Sequence, residues 1–410
     1  MRRTILHVGT AKTGTTSIQA AMGGNRNTLL ESNIDFPRVW GENHIPVALL
    51  AYSRMRWDDF CTSHATRLGV TTKRLLNSRR DEVRLRMMAE LLTSLEVNPE
   101  KDLLFSSELL WEYLNFEDIQ RLAKLMRLLG LDAEIVVYLR DPLSYAVSRW
   151  SEFTKAGHID PFGLPAPGVD VGDLAKPEHN PWLGAIGQGQ PYLKVLAWWE
   201  RAFPGKVNVR LYDNSALVGG DVVSDFYSVL GVPVSDDIAT VKRLNESLTW
   251  TELKVLNAIN GKIPFRDSDG YPNPKRFLFS ELPRLPGDSY KFHPTVEQVE
   301  AYETFFSSSS RSLQVRYFPE RPTLWSMQGD PRERRDVGVS SRLSAHEEAF
   351  VAEMVDGTLS RNDGVRPPPE IASTRKVRDQ IKWWRHGIAY RRIVPRARHI
   401  LNELHGSNDR

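Results

Sequence analysis

Four hundred and ten residues, 41% hydrophobic and 26% charged, are enough for a large buried core, built as one big domain or one domain with additions. The net charge of +3 selects no partner class on its own. The single cysteine, Cys61, excludes an internal disulfide framework and a cysteine-based metal cluster, and no apolar run is long enough for a membrane-spanning helix.

In chain order, Thr4–Val8 reads as a buried strand, Gly14–Met22 as a helix and 25–32 as a second short helix. Over 81–95 the apolar residues Val83, Met87, Met88, Leu91, Leu92 and Leu95 recur at helical spacing. A strand follows at 102–105 and a helix at 117–129. Ile135–Leu139 is a β-rich apolar run, continued by a helix from Pro142 through Ser148. A helix at 190–203, a strand at 207–212 and a helix at 221–230 complete the alternation. Helices of this length between short buried strands predict an α/β fold, three α/β/α layers around a central parallel sheet.

The remaining stretches differ in composition. Residues 156–190 are rich in Pro and Gly with little periodicity, as expected of a long functional or mobile loop or of an inert insertion. Residues 262–294 are again Pro-rich, with Phe265, Tyr271, Phe277, Phe279, Tyr290 and Phe292, and read as a lid or as a wrap around the core. From Arg366 onward eleven Lys and Arg face four Asp and Glu, with Trp383, Trp384 and Tyr390 interleaved. Such a tail suits an anionic membrane surface or nucleic acid. The preferred reading is a C-terminal helix that packs its aromatics on the body and leaves a basic face in water. The expected division is a core at 1–260, a Pro/aromatic-rich and mainly helical extension at 261–365 in the same globule, and the basic tail at 366–410.

The chemistry begins at His7–Ile18, HVGTAKTGTTSI. Gly9 and Gly14 permit a sharp turn and close approach to a ligand. The free amides of the following helical turn, Thr13 to Ser17 (Thr13, Gly14, Thr15, Thr16, Ser17), and the helix dipole attract an anion. The spacing is nearly the nucleotide-triphosphate loop G-x-x-x-x-G-K-[ST], but Thr15 stands in the lysine position and the lysine is Lys12, at the loop apex. There it can reach an oxygen next to a single 5′-phosphate and steady charge on a leaving group. A second candidate is Arg140, at the tip of the 135–139 strand, with Pro142 and then Ser148 two turns into the next helix. The planar fork of an arginine suits a phosphate, and a serine hydroxyl adds a donor.

The loop GTAKTGTTSIQ resembles the 5′-phosphosulfate loop of sulfotransferases, in particular bacterial and carbohydrate-type members. The segment Arg140-x-Pro142 followed by Ser148 resembles their 3′-phosphate-binding segment. The resemblance spans residues 1 to about 260. It implies a P-loop-like sulfotransferase fold and the co-substrate 3′-phosphoadenosine 5′-phosphosulfate (PAPS), leaving adenosine 3′,5′-bisphosphate as product, with no metal required. It further implies that Lys12 contacts the phosphosulfate, that the amides of Thr13–Ser17 hold the 5′-phosphate, and that Arg140 and Ser148 hold the 3′-phosphate. A late basic segment closes over the nucleotide in this family, and Arg243 and Asn245 stand at that place.

Transfer of a sulfuryl group to a hydroxyl needs a base. Two residues compete, His44 after the first helical pair and Glu108 after the 102–105 strand. The structural alternatives are a helix-capping histidine and a first-turn glutamate beside Ser106 or Ser107. The acceptor is expected to be a small molecule or glycan, with a saccharide or glycolipid favoured by the resemblance, and no specific nucleic acid is expected. The strand and loop starting so close to Met1 leave no room for a signal peptide, which suggests a bacterial or otherwise cytoplasmic enzyme. The rivals are an ATP-dependent small-molecule kinase, against which Thr15 counts, and a nucleotide-binding module without turnover.

Overall fold

The computed structural model describes residues 1–53, 55, 59–67, 70, 73–155, 157–159, 162–164, 192–233, 248–264, 291–325, 342–360 and 388–405. Its centre is a sheet of five parallel strands, β1 (Arg2–Val8), β2 (Ile34–Asp35), β3 (Asp102–Ser107), β4 (Leu131–Leu139) and β5 (Val207–Leu211), in the order β2-β3-β1-β4-β5. After β1 come helices α1 (Thr15–Gly24) and α2 (Arg26–Glu31). Between β2 and β3 lie α3 (Ile45–Ala51), α4 (Asp59–Arg67) and α5 (Lys73–Leu95). The β3–β4 connection carries α6 (Leu109–Glu112) and α7 (Phe116–Leu128); the β4–β5 connection carries α8 (Pro142–Lys155) and α9 (Tyr192–Ala202). Beyond β5 follow α10 (Val222–Leu230), α11 (Trp250–Lys262), α12 (Val296–Tyr317), α13 (Ala345–Ser360) and α14 (Ile388–His405).

Alternation along the strands builds the three layers. Leu6 and Val8 of β1, Leu103 and Phe105 of β3, and Ile135, Val137 and Leu139 of β4 face a core shared with α3, α5, α7, α9 and α14. Ile5, Leu104, Val136 and Tyr138 face the other way, against Ile18 and Met22 of α1 and Phe226 of α10. Strands covered on both faces read as continuous apolar runs, which is why they were legible in the sequence. The α/β class with a parallel sheet is therefore the observed one.

The differences have local causes. Strand β2 is two residues long, too short to show alternation. Helix α3 has six of its residues buried and is apolar on every side, so it shows no amphipathic period. Helix α5 begins at Lys73, before the expected 81, because its first turns are charged rather than apolar. Helix α11 starts at Trp250, where Thr249 and Glu252 form a reciprocal capping box.

Past residue 260, α12 packs against α8 and α9, and α13 against α11. Helix α14 presses Ile393, Ala397, Ile400, Leu401 and Leu404 into the main core, against α5 and α7. Trp383 and Trp384 lie outside the described residues, as does most of 156–190 and 262–294, Phe292 excepted. Cys61 is buried. Among the described residues no helix is long and apolar enough to cross a membrane.

Candidate functional site

The carboxyl ends of the three central strands open into one cleft of about 1050 Å³. Ligands of parallel α/β sheets bind at this edge, where the chain leaves β1 in one direction and later returns on its other side. Its floor is the loop between β1 and α1. The loop is tied down from within: the Thr13 hydroxyl donates to the Thr10 carbonyl (2.7 Å), and the Thr10 hydroxyl donates to the Tyr138 carbonyl on β4 (2.6 Å). Gly9 permits close packing, since a Cβ there would come within 2.6 Å of Thr15 Oγ1 and 3.2 Å of Glu108 Cγ. Gly14 caps α1 at φ 78°, and a Cβ on it would meet Val222 at 2.7 Å.

Lys12 occupies the left-handed region at φ 64°, a conformation usually left to glycine. Holding a lysine there costs about 1–2 kcal/mol. The turn sets its side chain on the cleft wall, with Nζ 3.7 Å from Glu152 Oε1. Thr15, Thr16 and Ser17 form the first turn of α1, where amides have no carbonyl one turn back; these residues, with Gly14, line the same cleft. Thr13 is buried behind the loop and is absent from the lining.

Arg140 leaves β4 beside the loop. Its Nη1 donates to the Lys12 carbonyl (2.7 Å), and the guanidinium lies 5.4 Å from the Tyr212 ring centre. Burial lowers its pKa from the ordinary arginine value, partly offset by Tyr212, Tyr192 and Asp141 nearby. The Asp141 carboxylate accepts the Ser144 N–H (2.8 Å), which turns the chain into α8 directly after the strand. One stripe of α8 then lines the cleft: Ser144, Val147, Ser148, Ser151, Glu152 and Lys155, with Leu143 beside it. The structure thus brings Lys12, Arg140 and Ser148 to one cavity.

Glu108 stands at the N-terminus of α6, immediately after β3, and lines the cleft on the far side of the loop from Arg140. Burial pushes its pKa up to about 7, helped by the neighbouring charges of Glu112 and Glu152 and opposed by Arg149 and Lys12. A carboxyl poised near neutrality suits a proton acceptor.

His44 is in a different situation. Its main-chain N–H donates to the Ser106 carbonyl (2.8 Å), Nδ1 accepts the Ser106 N–H (3.2 Å), and Nε2 donates to the Pro37 carbonyl (3.0 Å). The histidine continues the sheet edge where β2 stops. Both ring nitrogens are engaged by backbone, the residue is fully buried, and burial lowers its pKa to about 4. It is absent from the cleft lining. The two candidate bases therefore separate, Glu108 in the cleft and His44 in the wall behind it. Arg243 and Asn245 lie outside the described residues.

Several lining residues carried no motif. Glu152 and Lys155 follow Ser148 at helical spacing, so the period of α8 would have found them. Behind the lining, Glu112 follows Glu108 by one turn and meets Arg149 (3.3 Å). Helix α12 supplies the opposite wall with Tyr302, Glu303, Phe306, Ser307, Arg311 and Gln314. As for a metal, no group of three or more His, Cys, Asp or Glu among the described residues is arranged to hold one. The donors present suit an anion.

No protein-family model matches the chain. An uncharacterized protein of Archaeoglobus fulgidus is 28% identical over 128 residues, which is 31% of this chain and 35% of that protein. The chain thus spans about a third of the length of the curated relative it matches. Among solved structures, a sulfotransferase from Alicyclobacillus acidocaldarius aligns over 62% of this chain and 89% of its own, at 18% identity and a TM-score of 0.34.

Proposed function

We propose that the protein is a sulfotransferase that uses PAPS and passes its sulfuryl group to an acceptor hydroxyl. The observation that carries this reading is the placement of three side chains at the ends of adjacent strands. Lys12 stands at the loop apex after β1, Arg140 at the end of β4 and Glu108 at the end of β3, all lining one cleft. When bound, PAPS supplies an activated sulfuryl group whose leaving oxygen bridges to the 5′-phosphate. The first-turn amides of α1 and its dipole hold the 5′-phosphate, and Arg140 with Ser148 holds the 3′-phosphate. Lys12 places its ammonium at the bridging oxygen, where negative charge grows as the bond breaks. Glu108 takes the proton of the acceptor hydroxyl.

The acceptor assigned here is a saccharide or glycolipid hydroxyl. It is supported by the apolar and aromatic side chains Leu143, Val147, Phe292, Tyr302 and Phe306 along the cleft, against which a sugar face can stack. The test has two steps. Thermal unfolding is followed with adenosine 3′,5′-bisphosphate and with magnesium ATP; stabilisation by the bisphosphate alone is expected, and stabilisation by ATP alone means a kinase. Labelled PAPS is then offered with a panel of saccharides and glycolipids. Transfer of label is expected, and binding of the bisphosphate without any transfer reduces the protein to a binding module.

A further inference from the structure

Between the loop and α8 lies a line of charges that the proposed reaction does not use. Arg149 is only 4% exposed, and it sits on α8, the helix whose stripe lines the cleft. Its Nη2 lies 3.3 Å from Glu112 Oε2 on α6, and its Nη1 lies 3.1 Å from Glu152 Oε2 one turn along α8. The other Glu152 oxygen faces Lys12 Nζ at 3.7 Å. The Ala11 N–H, in the loop itself, faces the Glu112 carboxylate. One guanidinium therefore ties α6 to α8 and, through the two carboxylates, reaches Ala11 and Lys12 of the phosphate loop. An arginine can do this because its planar fork offers donors in two directions; a lysine offers a single point of charge.

The arrangement also has an electrostatic consequence. Two carboxylates, Glu108 and Glu152, border a site built to receive an anion, and a third, Glu112, lies close behind Glu108. Arg149 and Lys12 are the cations that offset them around Glu108. Removing Arg149 leaves two negative charges facing Glu108 and frees Glu152 to draw Lys12 away from the loop.

We propose that Arg149 is the positioning residue of this site, holding Lys12 over the phosphate loop through Glu152 and screening Glu108 from Glu112. The proposal rests on the sulfotransferase reading for what Lys12 and Glu108 do, but not for how Arg149 holds them. The groups that face Glu108 are Glu112 on its own helix, Glu152 and Arg149 on α8, and Lys12 in the loop.

The test uses the full chain and two readouts, the pH midpoint of Glu108 from carbon-13 carboxyl NMR, assigned with Glu108→Gln, and calorimetric affinity for adenosine 3′,5′-bisphosphate. Arg149→Met is expected to move the Glu108 midpoint upward by about one pH unit, because uncompensated like charges disfavour ionisation. The same variant should weaken binding about tenfold through misplacement of Lys12. Glu112→Gln combined with Arg149→Met removes a charge of each sign, so the protein is spared an unpaired buried charge. In it the Glu108 midpoint should return to within about half a unit of native, while affinity stays at least about fivefold weaker because Glu152 is still unheld. If Arg149→Met does not fold, this double variant decides alone. A native midpoint and native affinity in Arg149→Met, or native affinity in the folded double variant, overturns the proposal. If the native protein does not bind the bisphosphate, the sulfotransferase reading falls, and the Glu108 midpoints still decide the role of Arg149.

Discussion

Asp225 and Glu112 are both buried carboxylates held by an arginine, Arg210 in one case and Arg149 in the other. Asp225, on α10, accepts from Arg210 twice (2.6 Å each), from the Tyr138 hydroxyl (2.7 Å) and from the Val218 N–H (3.0 Å). Burial pushes its pKa up, but these bonds outweigh burial and hold it below the usual carboxylate value. Glu112 has fewer donors, Arg149 and the Ala11 N–H. Its pKa stays above the ordinary value because burial outweighs Arg149. A saturated carboxylate is a brace, and Asp225 braces the 217–222 turn that lines the cleft. An undersatisfied one stays sensitive to every charge nearby, and Glu112 sits one turn from the proposed base. Physical need therefore differs between the two networks: one fixes the shape of the cleft, the other sets its charge.

The largest expected effect breaks the saturated network. Asp225→Ala strips Arg210, Tyr138 and Val218 of their acceptor at once. Removing one partner of a buried pair typically costs 3–5 kcal/mol, and because Arg210 is partly solvated about 3 kcal/mol is expected, read from urea unfolding. A loss below about 1 kcal/mol would mean that the turn holds its shape without Asp225.

The next effect belongs to the charged side of the comparison and should fall on turnover rather than on stability. In Lys12→Ala the left-handed turn remains as strained as before, so the fold survives. An interaction that strengthens in the transition state lowers kcat. A loss of about 10²–10³ in kcat at saturating PAPS is expected, with affinity for adenosine 3′,5′-bisphosphate within about tenfold of native. Near-normal turnover in this variant would remove Lys12 from the chemistry.

Arg140→Ala sharpens the contrast, since this arginine is both brace and ligand. Loss of a charge-assisted contact is worth about 1.5–3 kcal/mol, so affinity for adenosine 3′,5′-bisphosphate should fall by roughly tenfold to a hundredfold. Because Arg140 also holds the Lys12 carbonyl, adenosine 5′-phosphate should bind somewhat more weakly too. The loss must be greater for the bisphosphate; equal losses, by calorimetry, would leave only the brace.

How much of this was legible in the sequence follows from how local each feature is. Gly9, Lys12 and Gly14 define their turn within a few residues, and Arg140 with Pro142 marks a strand end and a helix start. Both could be read without the fold. His44 and Glu108 could not be ranked, because what separates them is long-range. The partners of His44 are the carbonyl of Pro37 and the backbone of Ser106, and only the parallel pairing of β2 with β3 brings that edge to it. The same burial acts with opposite sign on the two groups, lowering the histidine and raising the glutamate, because in each it disfavours the charged form. Arg149 and Glu152 are three apart on a helix and look like an ordinary surface pair. Glu112, far away in the chain, turns them into a buried network. Helix α12 carries no motif and entered the cleft only through its packing on α8.

The smallest expected effect turns on a contrast between Asp225 and Glu108, the carboxyl one turn from Glu112, because their stability contributions run in opposite directions with pH. Asp225, with its lowered pKa, stabilises the fold above the ordinary carboxylate value, and that contribution is lost as pH falls through its folded pKa. Glu108 is protonated in folded and unfolded chains alike below about 4.5, its ordinary value, and ionised in both above about 7. Between those limits the folded protein keeps a proton that the unfolded chain releases, so stability should decline as pH rises from 4.5 through 7. Because the carboxyl borders solvent, the decline should be on the order of 1–2 kcal/mol rather than the full value of the shift. Turnover should rise over the same interval, since only ionised Glu108 can accept the acceptor proton. Glu108→Gln should remove both trends together, flattening the stability profile and leaving turnover low at every pH. Urea unfolding and labelled-PAPS turnover at half-unit pH steps check this; a stability slope that persists in Glu108→Gln would assign the titration to Glu112 instead, and place the raised carboxyl under the loop rather than in the cleft.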